Sequence, residues 1–167
     1  MIFDTLTIYE KELILKGFEE MTVTNQNSLV NAIATKLNCA VWQVSPAQIL
    51  THHKNLKLSM INESCELAIS NGFTSTNGHK YRLNQDDQVN MLGQKDRLND
   101  RPEVDKVFWK TEDAGYIEHT RASWLVMQAE AFDHKLLQLM RYNEKATAIV
   151  TATTHKQIVE ANWQSIN

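Results

Sequence analysis

Between Ser45 and Gly78 the chain carries helix and turn signals so close together that few folds can accommodate them. "SPAQ" opens a helix. Ser45 suits the N-cap, and Pro46 falls at the first helical position, where its missing N–H costs nothing. The helix runs to about Ser70, with Ile49, Leu50, Leu56, Met60, Ile61, Cys65 and Ala68 as its apolar stripe. Asn71-Gly72 stops it, because glycine accepts the left-handed conformation there. "FTST" and "HKYRL" then read as strands joined at Asn77-Gly78, the strongest short hairpin signal. A long capped helix running into a hairpin points to an α+β fold.

The signals repeat downstream. Asn84 reads as the N-cap of a helix from about Gln85 to Leu98, with Val89, Leu92 and Leu98 turned inward. Asp87 lies where a carboxylate reaches back to the cap amide, so Asp86-Asp87 reads as first-turn acid rather than a catalytic pair. Tyr81 is expected to pack, and Gln88 and Asn90 to satisfy nearby backbone groups. "NDRPE" ends the helix. "VDKVFWK" and "YIEH" form a second hairpin around "TEDAG", with Gly115 supplying positive φ. Thr120 caps a last long helix to about Thr151, whose stripe is Trp124, Met127, Ala131, Phe132, Leu136, Leu139 and Met140. Leu125, Val126, Leu137, Ile149 and Val150 make this helix apolar on more than one side, so its second side is expected to pack against another chain or under the N-terminal sheet of the same chain. Thr154 and Gln157 have capping-box spacing and open a short helix carrying Ile158 and Trp163.

Upstream the reading is different. In Ile2 to Thr24, "TLTIY", "LILKGF" and "MTVTN" are rich in β-branched and apolar residues, which predicts a small N-terminal antiparallel β-sheet with one wet face. Ser28 then caps a short helix with Leu29, Ile33 and Leu37 on one face. "AVWQV", from Ala40 to Val44, reads as a strand or a buried connection. The expected organisation is a β-rich leader with a short helix over residues 1–44, followed by an α+β domain over 45–167.

At 167 residues the chain suits one compact domain or a domain with a small appendage, and it can bury a real core without staples. Its net charge of −3 and scattered lysines and arginines offer no basic run for a phosphate backbone, so nucleic acid is an unexpected partner. No apolar run approaches the roughly 20 residues that span a bilayer, and the opening "MIFDTLTIYEKE" predicts no signal peptide. Cys39 and Cys65 lack metal-type spacing and read as small apolar residues.

No motif singles out a reaction. His52 and His53 are adjacent, so on a helix they point about 100° apart. His79, His119, His134 and His155 form no H-E-x-x-H or comparable spacing, although a metal site assembled in three dimensions stays open. Phosphate-cradling loops, dinucleotide fingerprints and nucleophile elbows are missing from the sequence. Trp42, Trp109, Trp124 and Trp163 are the residue type of a sugar-stacking platform. Three of them sit within apolar periodic segments, which favours core packing or a protein interface. We therefore expect no enzyme, no catalytic residues, no cofactor and no metal.

Four segments in order carry a resemblance. They are "INESCELAISNGFTST" from Ile61, "GHKYRLNQDDQVNMLG" from Gly78, "VFWKTEDAGYIEHT" from Val107 and "TATTHKQIVEANW" ending at Trp163. The region from about Leu58 to Trp163 resembles a domain family of unknown function found in bacteriophage tail-fibre and other tail-associated proteins. The family implies no catalytic residues. Many relatives carry long fibrous or glycine-rich regions in front, whereas here a short leader stands in that place.

The resemblance implies a structural component of a phage or prophage tail, in the baseplate, tail tip or tail-fibre attachment, made in the host cytoplasm and located in the virion. Its expected partners are other tail or fibre proteins and copies of itself, with a trimer favoured. A tail-fibre assembly chaperone is the alternative, and a glycan-binding or wall-acting module stands behind it.

Overall fold

A computed structural model describes residues 2–163. It shows mixed helix and strand, an α+β fold in which helix predominates and the strands form small antiparallel sheets. In chain order the elements are α1 (Ile2–Thr5), α2 (Ile8–Lys16), α3 (Val23–Leu37), α4 (Pro46–Ser70), β1 (Phe73–Thr74), β2 (Lys80–Tyr81), α5 (Gln85–Asp100), β3 (Lys106–Thr111), β4 (Gly115–Thr120), α6 (Arg121–Thr151) and α7 (His155–Glu160). Single 3-10 turns lie at Phe18–Glu20 and Val41–Gln43. The described residues fall into two compact units. One holds those up to Ser64 and from Arg141 onward, and the other holds Cys65–Met140.

In the first unit the expected N-terminal sheet is absent, and Ile2 to Thr24 is helical. The reason is capping. The Thr7 hydroxyl accepts the Glu10 N–H at 3.3 Å, and the Glu10 carboxylate accepts the Thr7 N–H at 3.0 Å, a complete capping box. The acids and lysines that interrupt a strand pattern are good helix formers, and Glu12 pairs with Lys16 at 3.0 Å one turn on. "MTVTN" is likewise a helix start, not a strand: Thr22 accepts the Asn25 N–H, so α3 begins five residues before Ser28. Ser28 sits inside α3, where its hydroxyl donates to the Thr24 carbonyl at 3.0 Å. "AVWQV" forms the second 3-10 turn, with Trp42 84% exposed. Leu13, Met21, Leu29, Ile33 and Ile49 make one core cluster, and Ile61, Ile149, Ala152, Ile158 and Ala161 make another.

The second unit follows the sequence signals closely. The hairpin β1–β2 turns at Gly78 (φ +87°), with Phe73 opposite Tyr81 and Thr74 opposite Lys80. The hairpin β3–β4 turns before Gly115 (φ +72°) and pairs Lys106 with Thr120 through to Thr111 with Gly115. The two hairpins are tied together. Glu112 N–H donates to the Lys80 carbonyl at 2.8 Å, and the Asp113 carboxylate accepts the Lys80 N–H at 2.9 Å and lies 2.8 Å from His79 Nδ1. Tyr81 is fully buried, as expected, and its hydroxyl accepts from Asn77 at 2.8 Å.

Asn84 caps α5 as expected. Its side chain accepts the Asp87 N–H at 2.9 Å, and Asp87 accepts the Asn84 N–H at 3.2 Å while pairing with Arg82 at 2.9 Å. Asp86-Asp87 is thus first-turn acid. Gln88 donates to the Leu83 carbonyl at 3.0 Å. Replacing Asn84 by Ala removes the box, and we expect a loss of about 1 kcal/mol, a fall in Tm of roughly 2–4 °C, measurable by thermal melting. An unchanged melt would show that the cap contributes nothing.

Candidate docking groove

Helices α5 and α6 are where the expected burial and the observed burial part. On α5, Leu98 is buried as predicted, but Val89 and Leu92 point to solvent and Met91 takes the inward place. On α6, Trp124, Met127 and Ala131 are buried, whereas Phe132, Leu136, Leu139 and Met140 of the same predicted stripe are exposed. The stripe drifts off the core along the helix. Of the residues beyond it, Ile149 is buried in the first unit's second cluster, while Val126, Leu137 and Val150 are exposed.

The result is an apolar groove of about 240 Å³ between the two helices. Met91 and Ala131, both buried, form its floor. Leu92 (61% exposed) stands on the α5 side; Phe132 (62% exposed), Leu136 and Leu139 stand on the α6 side. Lys135 donates to the Gln88 side-chain oxygen and ties α6 to the start of α5. Its aliphatic stem adds to an otherwise apolar wall. Such a surface has little to offer a charged substrate, but it gains about 25 cal/mol for each Å² of apolar area that a partner covers.

Polar and aromatic side chains tie the elements together. Ser75 and Thr76 donate to the Glu130 carboxylate, fastening the first hairpin to α6. His79 meets Asp113, His119 Nε2 lies 3.3 Å from the Tyr81 hydroxyl, and His134 donates to the Ala68 carbonyl at 3.0 Å. His52 lies 3.5 Å from Glu10. Trp109 meets Trp124 edge-on at 5.4 Å, and Arg141 lies over the Trp163 ring at 4.7 Å. The tryptophans are therefore distributed, with Trp42 alone at the surface of its turn. Among the described residues, no group of three or more His, Cys, Asp or Glu is placed to hold a metal ion, and no helix is long and apolar enough to cross a membrane.

One cluster had no sequence signal. His53 of α4 and His155 of α7 stack at 5.2 Å with their Nδ1 atoms 2.9 Å apart, and both are buried. They are 102 residues apart in sequence, so no local spacing marks them. Beside them Lys57 is buried, and its ammonium donates to Asn162 Oδ1 at 2.6 Å and to the Val159 carbonyl at 3.3 Å. Burial lowers this lysine to about 8.

No curated protein and no solved structure matches the chain. A family match does exist, over residues 52–162, about two thirds of the chain; it takes in the whole second unit and every resemblance-bearing segment except Trp163. The helix–hairpin–helix–hairpin–helix order and the α5–α6 groove thus lie within a recognised domain, and the chain belongs to the family described as Domain of unknown function (DUF4376).

Proposed function

We propose that this protein is a non-enzymatic structural component of a phage or prophage tail, in the baseplate, tail tip or tail-fibre attachment, and that it works by protein–protein docking. The single observation that carries docking is the α5–α6 groove, where Leu92, Phe132, Leu136 and Leu139 leave large apolar surface in water over a buried floor. Contiguous exposed apolar surface of this kind is a mark of protein–protein or ligand interaction sites. The tail assignment is supported by the resemblance of the segments from Ile61 to Trp163.

The first occupant of the groove is a second copy of this chain. The exposed row on α6 continues through Leu137 and Met140, so equivalent helices can pack apolar row against apolar row. Closed symmetry is the usual way in which such a face is covered, and threefold symmetry suits a tail attachment. Light scattering on the purified protein is expected to give a trimer. Leu136→Asp is expected to give a monomer whose Tm stays within about 2 °C, because an exposed position contributes little to the fold itself. Mass spectrometry of purified particles is expected to find the protein. A monomer at high concentration that is absent from particles would overturn this reading and put the assembly chaperone in its place.

A further inference from the structure

We propose that the cleft on the other side of α5, between that helix and the β3–β4 hairpin, is a binding site for a neutral saccharide. The cleft has a volume of about 740 Å³. It shares no residue with the docking groove, so the proposal stands apart from the tail assignment.

The hairpin supplies aromatic faces. Phe108 and Tyr116 both line the cleft, and they are 65% and 73% exposed. The register pairs Phe108 with Glu118 and Lys110 with Tyr116. Phe108 and Tyr116 are therefore diagonal neighbours on one face of the hairpin, roughly 7–8 Å apart at Cα. Burying aromatic rings is favourable, so leaving two of them in water on a hairpin's open face is costly unless a ligand covers them. Trp109, which also lines the cleft, is held edge-on against the fully buried Trp124 and steadies the hairpin.

The helix supplies a polar wall. Asp86, Asn90, Gln94 and Arg97 recur every three or four residues on α5 and line the cleft, placing a carboxylate, two amides and a guanidinium in a row one helical pitch apart. Several of these groups are unspent. Among the described residues Asn90, Lys110 and the Tyr116 hydroxyl have no hydrogen-bond partner, and Gln94 Nε2 is unpaired although buried. An unpaired buried amide asks for an acceptor, and Gln94, whose oxygen accepts from Arg97 at 3.5 Å, lines the cleft.

Charge decides the ligand class. Asp86, Asp87 and Glu112 are balanced by Arg82, Arg97 and Lys110. A balanced wall gives no net attraction for phosphates or a polyanion. A pyranose ring fits both halves, with an apolar C–H face for the aromatic platform and hydroxyls that donate and accept along the helix. A protein partner prefers the apolar groove on the other face of α5, where polar groups are few.

The test uses the full chain and defined probes. A glycan array carrying neutral bacterial-surface polysaccharides, together with chitotetraose and maltohexaose, is screened first, with heparin as the polyanion control. Bound probes are then titrated by NMR, following the Trp109 indole and the amides of β3, β4 and α5. We expect at least one neutral glycan to bind and heparin not to bind. Tyr116→Ala and Asn90→Ala are each expected to weaken binding about tenfold or more, with melting unchanged, and Tyr116→Phe is expected to retain most of the affinity. Leu136→Asp, in the docking groove, is expected to leave binding to the isolated site intact. Failure of every neutral glycan on the array, or binding that both cleft variants leave unchanged, would overturn the proposal. So would a tail protein that binds wild type and is lost with Tyr116→Ala in the absence of any glycan effect.

Discussion

Gly72→Ala is expected to lower stability by about 3 kcal/mol or more, a fall in Tm of roughly 6–12 °C. Gly72 closes α4 at φ +75°, and a Cβ there would sit 1.7 Å from the Tyr81 carbonyl oxygen and 2.8 Å from the Arg82 Cα. Both obstacles are backbone, so no rotamer change relieves them. The clash falls where α4 hands over to the first hairpin and Leu83 N–H donates back to the Ser70 carbonyl at 3.2 Å. Accommodating alanine requires β2 to move away from the helix end, taking the fully buried Tyr81 with it. Gly93→Ala is the matched control. Gly93 lies inside α5 with nothing within 4 Å of the added carbon, and the change is expected to stabilise by about 0.5–1 kcal/mol through reduced freedom of the unfolded chain. Thermal and urea melts of the two variants check this. Equal responses would show that backbone contact at Gly72 is not what limits the site.

The second large effect is acid sensitivity set by the His53–His155 pair. With the two Nδ1 atoms 2.9 Å apart, one ring must donate and the other accept. Protonating both would set N–H against N–H. Burial, then the charges of His155, Lys57 and His52, lowers His53 to about 3. Burial also lowers His155, opposed by Glu19 on the adjoining 3-10 turn. Unfolded histidine titrates near 6.5, so between that value and the folded one the unfolded chain holds more protons. The contribution is therefore complete above about pH 6.5 and shrinks as pH falls, by about 1.4 kcal/mol per pH unit for each histidine kept neutral. His52 and His119, also lowered by burial, act in the same direction. Burial pushes the Glu130 carboxyl up, but hydrogen bonds from Ser75 and Thr76 together outweigh it and leave the group lowered, and hydrogen bonds from His79 and the Lys80 N–H lower Asp113. Their contribution is lost only below about pH 4.5, so the interval from 6.5 to 5 reports on the histidines. Urea melts of wild type across that interval are expected to fall steeply. His155→Gln is expected to cost about 1–3 kcal/mol at pH 7, where it disrupts a buried hydrogen bond, yet to show a slope shallower by about one proton. Identical slopes would mean that the pair is not what binds the protons.

The boundaries of α4, α5 and α7 and both hairpin turns were legible because their causes are local. A capping box spans four residues, and a glycine with positive φ announces itself in the sequence. Asn84 with Asp87, Thr154 with Gln157, and Asn77-Gly78 each satisfy backbone groups using neighbours a few positions away. The N-terminal helices also have local caps, at Thr7 and Thr22, within a stretch whose β-branched content reads as strand. Packing acts together with these caps: Leu13 and Met21 reach a cluster completed by Leu29, Ile33 and Ile49 from two later helices. Burial along α5 and α6 was legible only in part. The sequence by itself determined which positions are apolar, and hence that α6 has more apolar surface than one core stripe needs. Only the tertiary structure decided that Met91 turns in while Leu92 turns out, and that Phe132 and Leu136 end in water beside a groove. The His53–His155 contact and the α5–hairpin cleft belong to that second class. Each joins residues far apart in the chain, and a contact across such a separation exists only once the intervening elements have packed.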